Sequence, residues 1–276
     1  MVRRTWQSAA LILVLLGAGT LAAQSPPTDA ALDELMHVSG LWEQLPQFET
    51  MVQEGFAEAM AKNHDRADDG AAKILEAVAA AYSGDRLRAT VRRELATTLT
   101  AEEVAGIVTW LGTELGVRIT ALEGRAGEPE QQALQKLEAP KLLADTPPAR
   151  VEQIQELLRA LRWGESMASI LIHTSEGIMR GLAVEDPAAA AAALAQFQAT
   201  MQAQRAAMAQ ALEKESVATF VFIYRNLTEP ELAGYLDFIE SPLGQHYQAA
   251  TLAAIDKTLS EAAESLGRML AATKST

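Results

Sequence analysis

The chain contains no cysteine among its 276 residues. Disulfide bonds and thiolate metal sites are therefore excluded, and so is a lipoprotein anchor, which is attached to a cysteine. Only 5% of the residues are aromatic. Alternating runs of β-branched and aromatic residues, which are typical of strands, are almost missing as well. The stability of this protein has to come from the packing of helices.

The chain also has few basic residues, with 23 Lys and Arg against 36 Asp and Glu and a net charge of −13. The field of such an acidic protein repels polyanions. The composition therefore excludes nucleic acid as a partner and disfavours anionic membrane surfaces.

Motifs that carry chemistry are missing too. The four histidines, at positions 37, 64, 173 and 246, form no HExxH pattern, and neither a GxSxG elbow nor a glycine-rich phosphate loop occurs. We predict no catalytic, cofactor-binding or metal-binding residues and no enzymatic activity. A hydrolase with an unrecognised site is the alternative, and it would require carboxylates to converge on His173 or His246.

The N-terminus has the pattern of an export signal. Arg3 and Arg4 precede an apolar run over residues 9–21, and Leu21-Ala22-Ala23 offers a cleavage site. The run is shorter than the roughly 18–20 residues that span a bilayer. We predict a signal peptide over residues 1–23, a periplasmic or secreted mature protein, and no transmembrane segment after cleavage. Retention of the run as an anchor is the alternative.

The remaining chain carries helix start signals. Thr100-Ala101-Glu102-Glu103 and Thr228-Glu229-Pro230-Glu231 are capping boxes, and Ser241-Pro242 and Asp186-Pro187 pair a capping residue with a proline suited to the first turn. The strand-like run from Phe220 to Tyr224 continues a helical period and predicts a buried helix.

The two capping boxes belong to an internal repeat. Leu99 and Leu227 lie 128 positions apart, and at this spacing the boxes, their apolar faces and two later glycines coincide. We predict an all-α fold with two diverged helical bundles of about five helices each. The first bundle covers residues 29–138 and the second residues 149–272. Pro140 and Pro147 favour a proline-containing linker over residues 139–148.

The second copy resembles a known family. Leu227-Thr228-Glu229-Pro230-Glu231-Leu232 and Phe238-Ile239-Glu240-Ser241-Pro242-Leu243-Gly244-Gln245 are similar to the signature of the DUF2059 family, clearly in the C-terminal copy and faintly in the N-terminal copy. The resemblance implies an exported, helical bacterial protein and no particular activity. The positions that carry the motif are Thr228, Glu231, Leu232, Phe238, Ser241, Pro242 and Gly244. A structural corner accounts for most of them, since Ser241 can cap a helix and Pro242 suits its first turn.

A near-heptad apolar pattern predicts an interaction face on a long helix over residues 188–215. Its members are Leu194, Phe197, Met201, Met208 and Leu212. Packing within the protein's own core is the simpler interpretation, and a groove for a partner or a dimer seam is the alternative. Trp42 and Trp163 are expected to be core anchors, with exposed binding aromatics as the alternative.

These patterns favour a non-enzymatic binding or interaction module. Its partner could be a protein, an apolar ligand or a second copy of the chain. A periplasmic chaperone or assembly factor for envelope proteins is the alternative function from another class.

Overall fold

The computed structural model describes residues 25–62, 68–183 and 187–274. Within these ranges every regular element is a helix and no strand is present, which confirms the predicted fold class. The predicted signal peptide and the predicted cap at Asp186 lie outside the described residues.

Thirteen helices occupy the described ranges. In chain order they are α1 Asp29–Val38, α2 Leu41–Gln44, α3 Gln47–Lys62, α4 Asp68–Ala81, α5 Gly84–Thr98, α6 Ala101–Leu111, α7 Glu114–Ala126, α8 Pro129–Asp145, α9 Pro148–Ala160, α10 Trp163–Leu182, α11 Pro187–Ile223, α12 Glu229–Glu240 and α13 Pro242–Lys274. The segment predicted as the first copy therefore contains α1 to α7 and most of α8, more than the expected five. Short breaks, such as the one at Gly40 with its positive φ of 77°, divide it.

The predicted helix starts are confirmed at three sites. Thr100 and Thr228 each accept the amide of the residue three positions on, while Glu103 and Glu231 reach back to the capping residue's own amide. Ser241 caps α13, because its Oγ accepts the Gly244 amide at 3.0 Å. The run from Phe220 continues α11 and is mostly buried, as predicted.

The predicted proline-containing linker over residues 139–148 is helical in its first part. Residues up to Asp145 belong to α8, Pro140 lies inside that helix and Ala139 is buried. A proline removes one backbone hydrogen bond, but packing of the surrounding turns can hold the helix together. Only Thr146 and Pro147 separate α8 from α9.

Helices α10 and α13 form the closest pair in the structure. They run in the same direction, since His173 bonds to Asp256 near one end and Arg180 bonds to Glu264 near the other. Gly177 makes this approach possible, because a Cβ there would come within 2.5 Å of the Ser260 carbonyl oxygen.

A single hydrophobic core joins α1 to α13. Helices from the two predicted copies contribute to it together, because α13 packs on α4, α5 and α6 as well as on α10 and α12. Among the described residues no helix has the length and apolarity required to cross a bilayer.

Candidate functional site: an internal cavity with one carboxyl group

Two helical corners meet at the centre of the molecule. One joins α6 to α7 and the other joins α12 to α13. The Trp110 and Phe238 rings stack between them, with centroids 3.8 Å apart and planes 9° from parallel. Gly106 of α6 lies against Leu243, and Gly234 of α12 lies against Leu115. Each corner thus inserts a leucine beside the other corner's glycine.

Two charged contacts also cross between the corners. Glu103 of α6 bonds to His246 Nδ1 of α13 at 2.6 Å. Glu231 of α12 bonds to the Arg118 guanidinium of α7. In each case the capping-box acid of one corner bonds to a basic side chain on the second helix of the other corner.

A cavity of about 460 Å³ lies beside these corners. Its volume falls within the range of about 300–1,000 Å³ that is usual for small-molecule sites. Most of its lining is apolar or aromatic. The aromatic lining residues are Phe48, Trp110, Trp163, Phe220, Tyr224, Tyr235, Phe238 and Tyr247. Lining residues come from α2, α3, α6, α7 and α10 to α13. Ser39 and Leu161, which follow α1 and α9, complete the lining.

Among the described residues that line the cavity, Glu123 of α7 is the only one with an Asp, Glu, Lys, Arg or His side chain. Protein surrounds its carboxyl group, while part of the side chain faces the cavity. The Tyr224 hydroxyl donates to Glu123 Oε1 at 2.5 Å and the Tyr235 hydroxyl donates to the same oxygen at 2.9 Å. Among the described residues no group donates to Oε2 and no cation pairs with this carboxyl. Oε2 is therefore free to bind another molecule.

The surroundings of Glu123 change the acidity of the whole cluster. Burial raises the pKa of the Glu123 carboxyl above its ordinary value of 4.5, and the two tyrosine hydroxyls oppose part of that shift. Burial, and then the Glu123 charge, raises the pKa values of Tyr224 and Tyr235 well above 10. Burial raises the pKa of Tyr247 to about 12. The tyrosines therefore stay neutral donors over the physiological range of pH.

This arrangement suits the binding of one ligand group inside an apolar chamber. A single carboxyl group can accept a hydrogen bond or a charge at Oε2, and rings and aliphatic side chains can enclose the rest of the ligand. Within the described ranges no cluster of three or more His, Asp or Glu side chains is placed to hold a metal ion.

The predicted interaction face lies elsewhere, on α11. Leu194, Phe197, Met201, Met208 and Leu212 are all half-buried, and none lines the central cavity. Met201 does line a separate, more open groove of about 410 Å³ beside Ile172 and His173 of α10. The binding role of this face stays a prediction.

The residues of the family motif divide between structure and cavity. Thr228 and Glu231 form the capping box, Ser241 and Pro242 begin α13, and Gly244 lies where a Cβ would overlap the Phe238 carbonyl oxygen. Leu232 is buried in the core, and Phe238 lines the cavity. Of the two tryptophans, Trp163 also lines the cavity and donates to Ser216 Oγ at 2.7 Å, whereas Trp42 stacks on His37 and beneath Arg88.

The histidines singled out for a hydrolase site each bond to one carboxylate. His173 bonds to Asp256 at 2.6 Å and His246 bonds to Glu103, and neither lines the central cavity.

Sequence reasoning missed Glu123 as a site residue, although its position carried a signal. Gly116, Ile119 and Glu123 stand at i, i+3 and i+7, so an acid occupies the buried face of α7. An ionisable residue on an apolar helix face is expensive to bury without a partner. Tyr224 and Tyr235, its partners, lie about a hundred residues further along the chain.

The fold and the cavity together define a class, an all-helical protein with a cavity lined mainly by apolar and aromatic side chains. Residues 85–157 match the model of the DUF2059 family, described as an uncharacterised protein conserved in bacteria. The match covers about a quarter of the chain, from α5 into α9, and includes Trp110 and Glu123. The resemblance to this family is thus supported for one segment, whereas the sequence analysis placed the clearer resemblance in the C-terminal copy. No curated protein matches the chain, and no solved structure does.

Proposed function

We propose that this protein is a non-enzymatic binding protein that encloses a small, mainly apolar ligand in the cavity between the two corners. The observation that carries this proposal is the chamber itself, which has about 460 Å³ of space and a nearly uncharged lining. Well-packed cores contain few voids larger than a water molecule. A chamber of this size costs packing energy. That cost is understandable if the chamber binds a ligand.

The N-terminal pattern adds a location to the proposal. Residues 1–23 carry the features of a cleaved signal peptide. We therefore propose that the protein binds its ligand in the periplasm or outside the cell.

We also propose that the protein consists of two diverged copies, whose corners enclose the cavity. Reciprocal contacts support this organisation. Gly106 and Gly234 are 128 positions apart, as are Leu115 and Leu243. Leu243 touches Gly106, and Leu115 touches Gly234. The same spacing relates Arg118 to His246, which bind the two capping-box acids crosswise. Two copies related in this way would bury their corners against each other.

The proposed function can be tested by titrating the full chain with 1-octanol while tryptophan fluorescence is recorded. Trp110 and Trp163 line the cavity, so a ligand that enters it should change their emission. We expect a saturable change. The variant Ala126→Phe, which places a ring on the cavity wall, should weaken it by on the order of tenfold, because lost ligand burial translates directly into affinity.

The matched control is Ala233→Phe, which adds the same ring at an exposed position of α12. It should bind octanol like the parent chain. Absence of saturable binding to the parent chain would count against a ligand chamber. Suppression of the aggregation of unfolded envelope proteins by substoichiometric amounts of that same chain would support the chaperone alternative.

A further inference from the structure

Glu123 gives the cavity a chemical preference, and this inference rests on the proposed binding function. We propose that the ligand carries an ammonium group on an apolar body, with the ammonium held at Glu123 Oε2 and the apolar body held among the rings of the chamber.

The polar contacts of Glu123 leave one direction open. Both tyrosine hydroxyls donate to Oε1. These bonds favour the ionised form of the carboxyl group, although burial outweighs them and raises its pKa. Oε2 receives no donor from the described residues. An ionised carboxylate in an apolar setting is stabilised most by a cation at its free oxygen.

The rest of the lining excludes the other charge. In the described part of the chain no Lys, Arg or His lines the cavity, so an anionic ligand would meet the Glu123 charge without a compensating group from these residues. A neutral ligand would leave the carboxylate unpaired. Aromatic rings such as Trp163 and Tyr235 lie in the same chamber, and aromatic faces attract cations. The net charge of −13 also attracts cations to the protein from a distance.

Proton and ammonium compete for the same oxygen. The groups that face Glu123 from the neighbouring helices are Tyr224 of α11, Tyr235 of α12 and Tyr247 of α13, and the pKa of each is raised. They carry no charge below pH 9. Among the described residues of the lining, Glu123 is then the group whose charge changes first as pH rises, so affinity for an ammonium ligand should rise with pH through the raised pKa of Glu123.

The test uses three probes with one eight-carbon chain: n-octylammonium, 1-octanol and octanoate. Calorimetric titration of the full chain should show that octylammonium binds on the order of tenfold to a hundredfold more tightly than octanol at pH 7, the range expected for a hydrogen bond between charged groups. Octanoate should bind most weakly. Octylammonium affinity should increase from pH 5 to pH 8, and octanol affinity should stay constant.

The variant Glu123→Gln keeps the size of the side chain and removes its charge. It should bind octanol as before, lose the preference for octylammonium and lose the pH dependence. Glu156→Gln, an exposed position of α9, makes the same change in net charge and should leave the preference intact.

The outcomes separate the two proposals. If no probe binds, the proposed function fails. If octanol binds as tightly as octylammonium at pH 7, or if Glu123→Gln keeps the preference, the chamber binds apolar molecules and the ammonium inference is overturned.

Discussion

The α6–α7 corner and the α12–α13 corner share one backbone device and differ in their side chains. Thr113 accepts the Gly116 amide at 3.1 Å and donates to the Trp110 carbonyl at 2.7 Å. Ser241 does the same with the Gly244 amide at 3.0 Å and the Phe238 carbonyl at 2.6 Å. Both corners thus link two helices through one hydroxyl and one glycine.

The difference appears seven residues after each corner glycine. Glu123 follows Gly116, and Thr251 follows Gly244, and both side chains line the cavity. One corner therefore supplies the only charge of the chamber, and the other supplies a hydroxyl. The comparison teaches that backbone geometry fixes the corners, while the side chains beyond them are free to specialise.

The largest expected effect comes from breaking the corners themselves. In Gly244→Ala the new Cβ would overlap the Phe238 carbonyl oxygen, and in Gly116→Ala it would lie 2.5 Å from the Trp110 carbonyl oxygen. We expect the free energy of unfolding, measured in urea, to fall by about 3 kcal/mol for Gly244→Ala and about 2 kcal/mol for Gly116→Ala.

Gly124→Ala is the control for these two variants. It lies in α7 with no neighbouring atom within 4 Å of an added Cβ, so it should stabilise the protein by about 0.5–1 kcal/mol. Equal effects at all three glycines would show that close approach at the corners does not set the cost.

The next effect concerns the cavity position at which the corners differ. Because burial raises the pKa of Glu123, the folded state holds a proton that the unfolded state releases. The free energy of unfolding should therefore fall as pH rises from about 4.5 through the raised pKa. Urea unfolding between pH 4.5 and 8 should show this decline in the parent chain.

Glu123→Gln should abolish that decline and give the more stable protein at pH 8. Thr251→Val, the matched change at the other corner, should leave the decline unchanged. A parent chain whose stability does not vary over this interval would contradict the burial of a titrating carboxyl group.

The corners also show which features could be predicted from the sequence. The helix starts at Thr100, Thr228 and Ser241 were predicted correctly because caps act over three or four residues. The helix through Pro140 was not, since tertiary packing overrides a local breaker. Local rules therefore gave the element type and the starts of three helices.

The chamber could not be predicted in the same way. Its carboxyl group, its tyrosines and its rings come from helices far apart in sequence, and only their packing brings them together. Glu123 on the apolar face of α7 was the local sequence signal that indicated the chamber. Motif searches miss such a site because a lone buried glutamate has no characteristic spacing.

A third prediction compares the two capping boxes. Thr100→Ala and Thr228→Ala each remove the acceptor for one amide at a helix start, which typically costs about 1 kcal/mol. Thr100 is half-buried and Thr228 is exposed, so water can replace the lost contact more easily at Thr228. Urea unfolding should therefore show the larger loss for Thr100→Ala, and serine at either position should restore the parent stability. A larger loss at Thr228 would mean that burial does not decide the strength of these caps.

The smallest effect should come from the two contacts that cross the corners. Burial raises the pKa of Glu103, but hydrogen bonds from the Thr100 amide and hydroxyl and from His246 outweigh it and lower the pKa below 4.5. Hydrogen bonds from the amide and the hydroxyl of Thr228, and then the charge and hydrogen bond of Arg118, lower the pKa of Glu231. A carboxyl group with a lowered pKa adds stability above its unfolded value, and this stability is lost as pH falls through the folded pKa. Glu103→Gln and Glu231→Gln should both make the loss of stability below pH 4.5 shallower.

Arg118→Gln and His246→Gln each remove the partner that one capping-box acid receives from the other corner. Both pairs are partly exposed, so urea unfolding at pH 7 should show a loss of at most about 1 kcal/mol in each variant. A loss in either variant as large as that of Gly244→Ala would contradict this order of effects, because a partly exposed contact would then matter as much as the close approach at the corner.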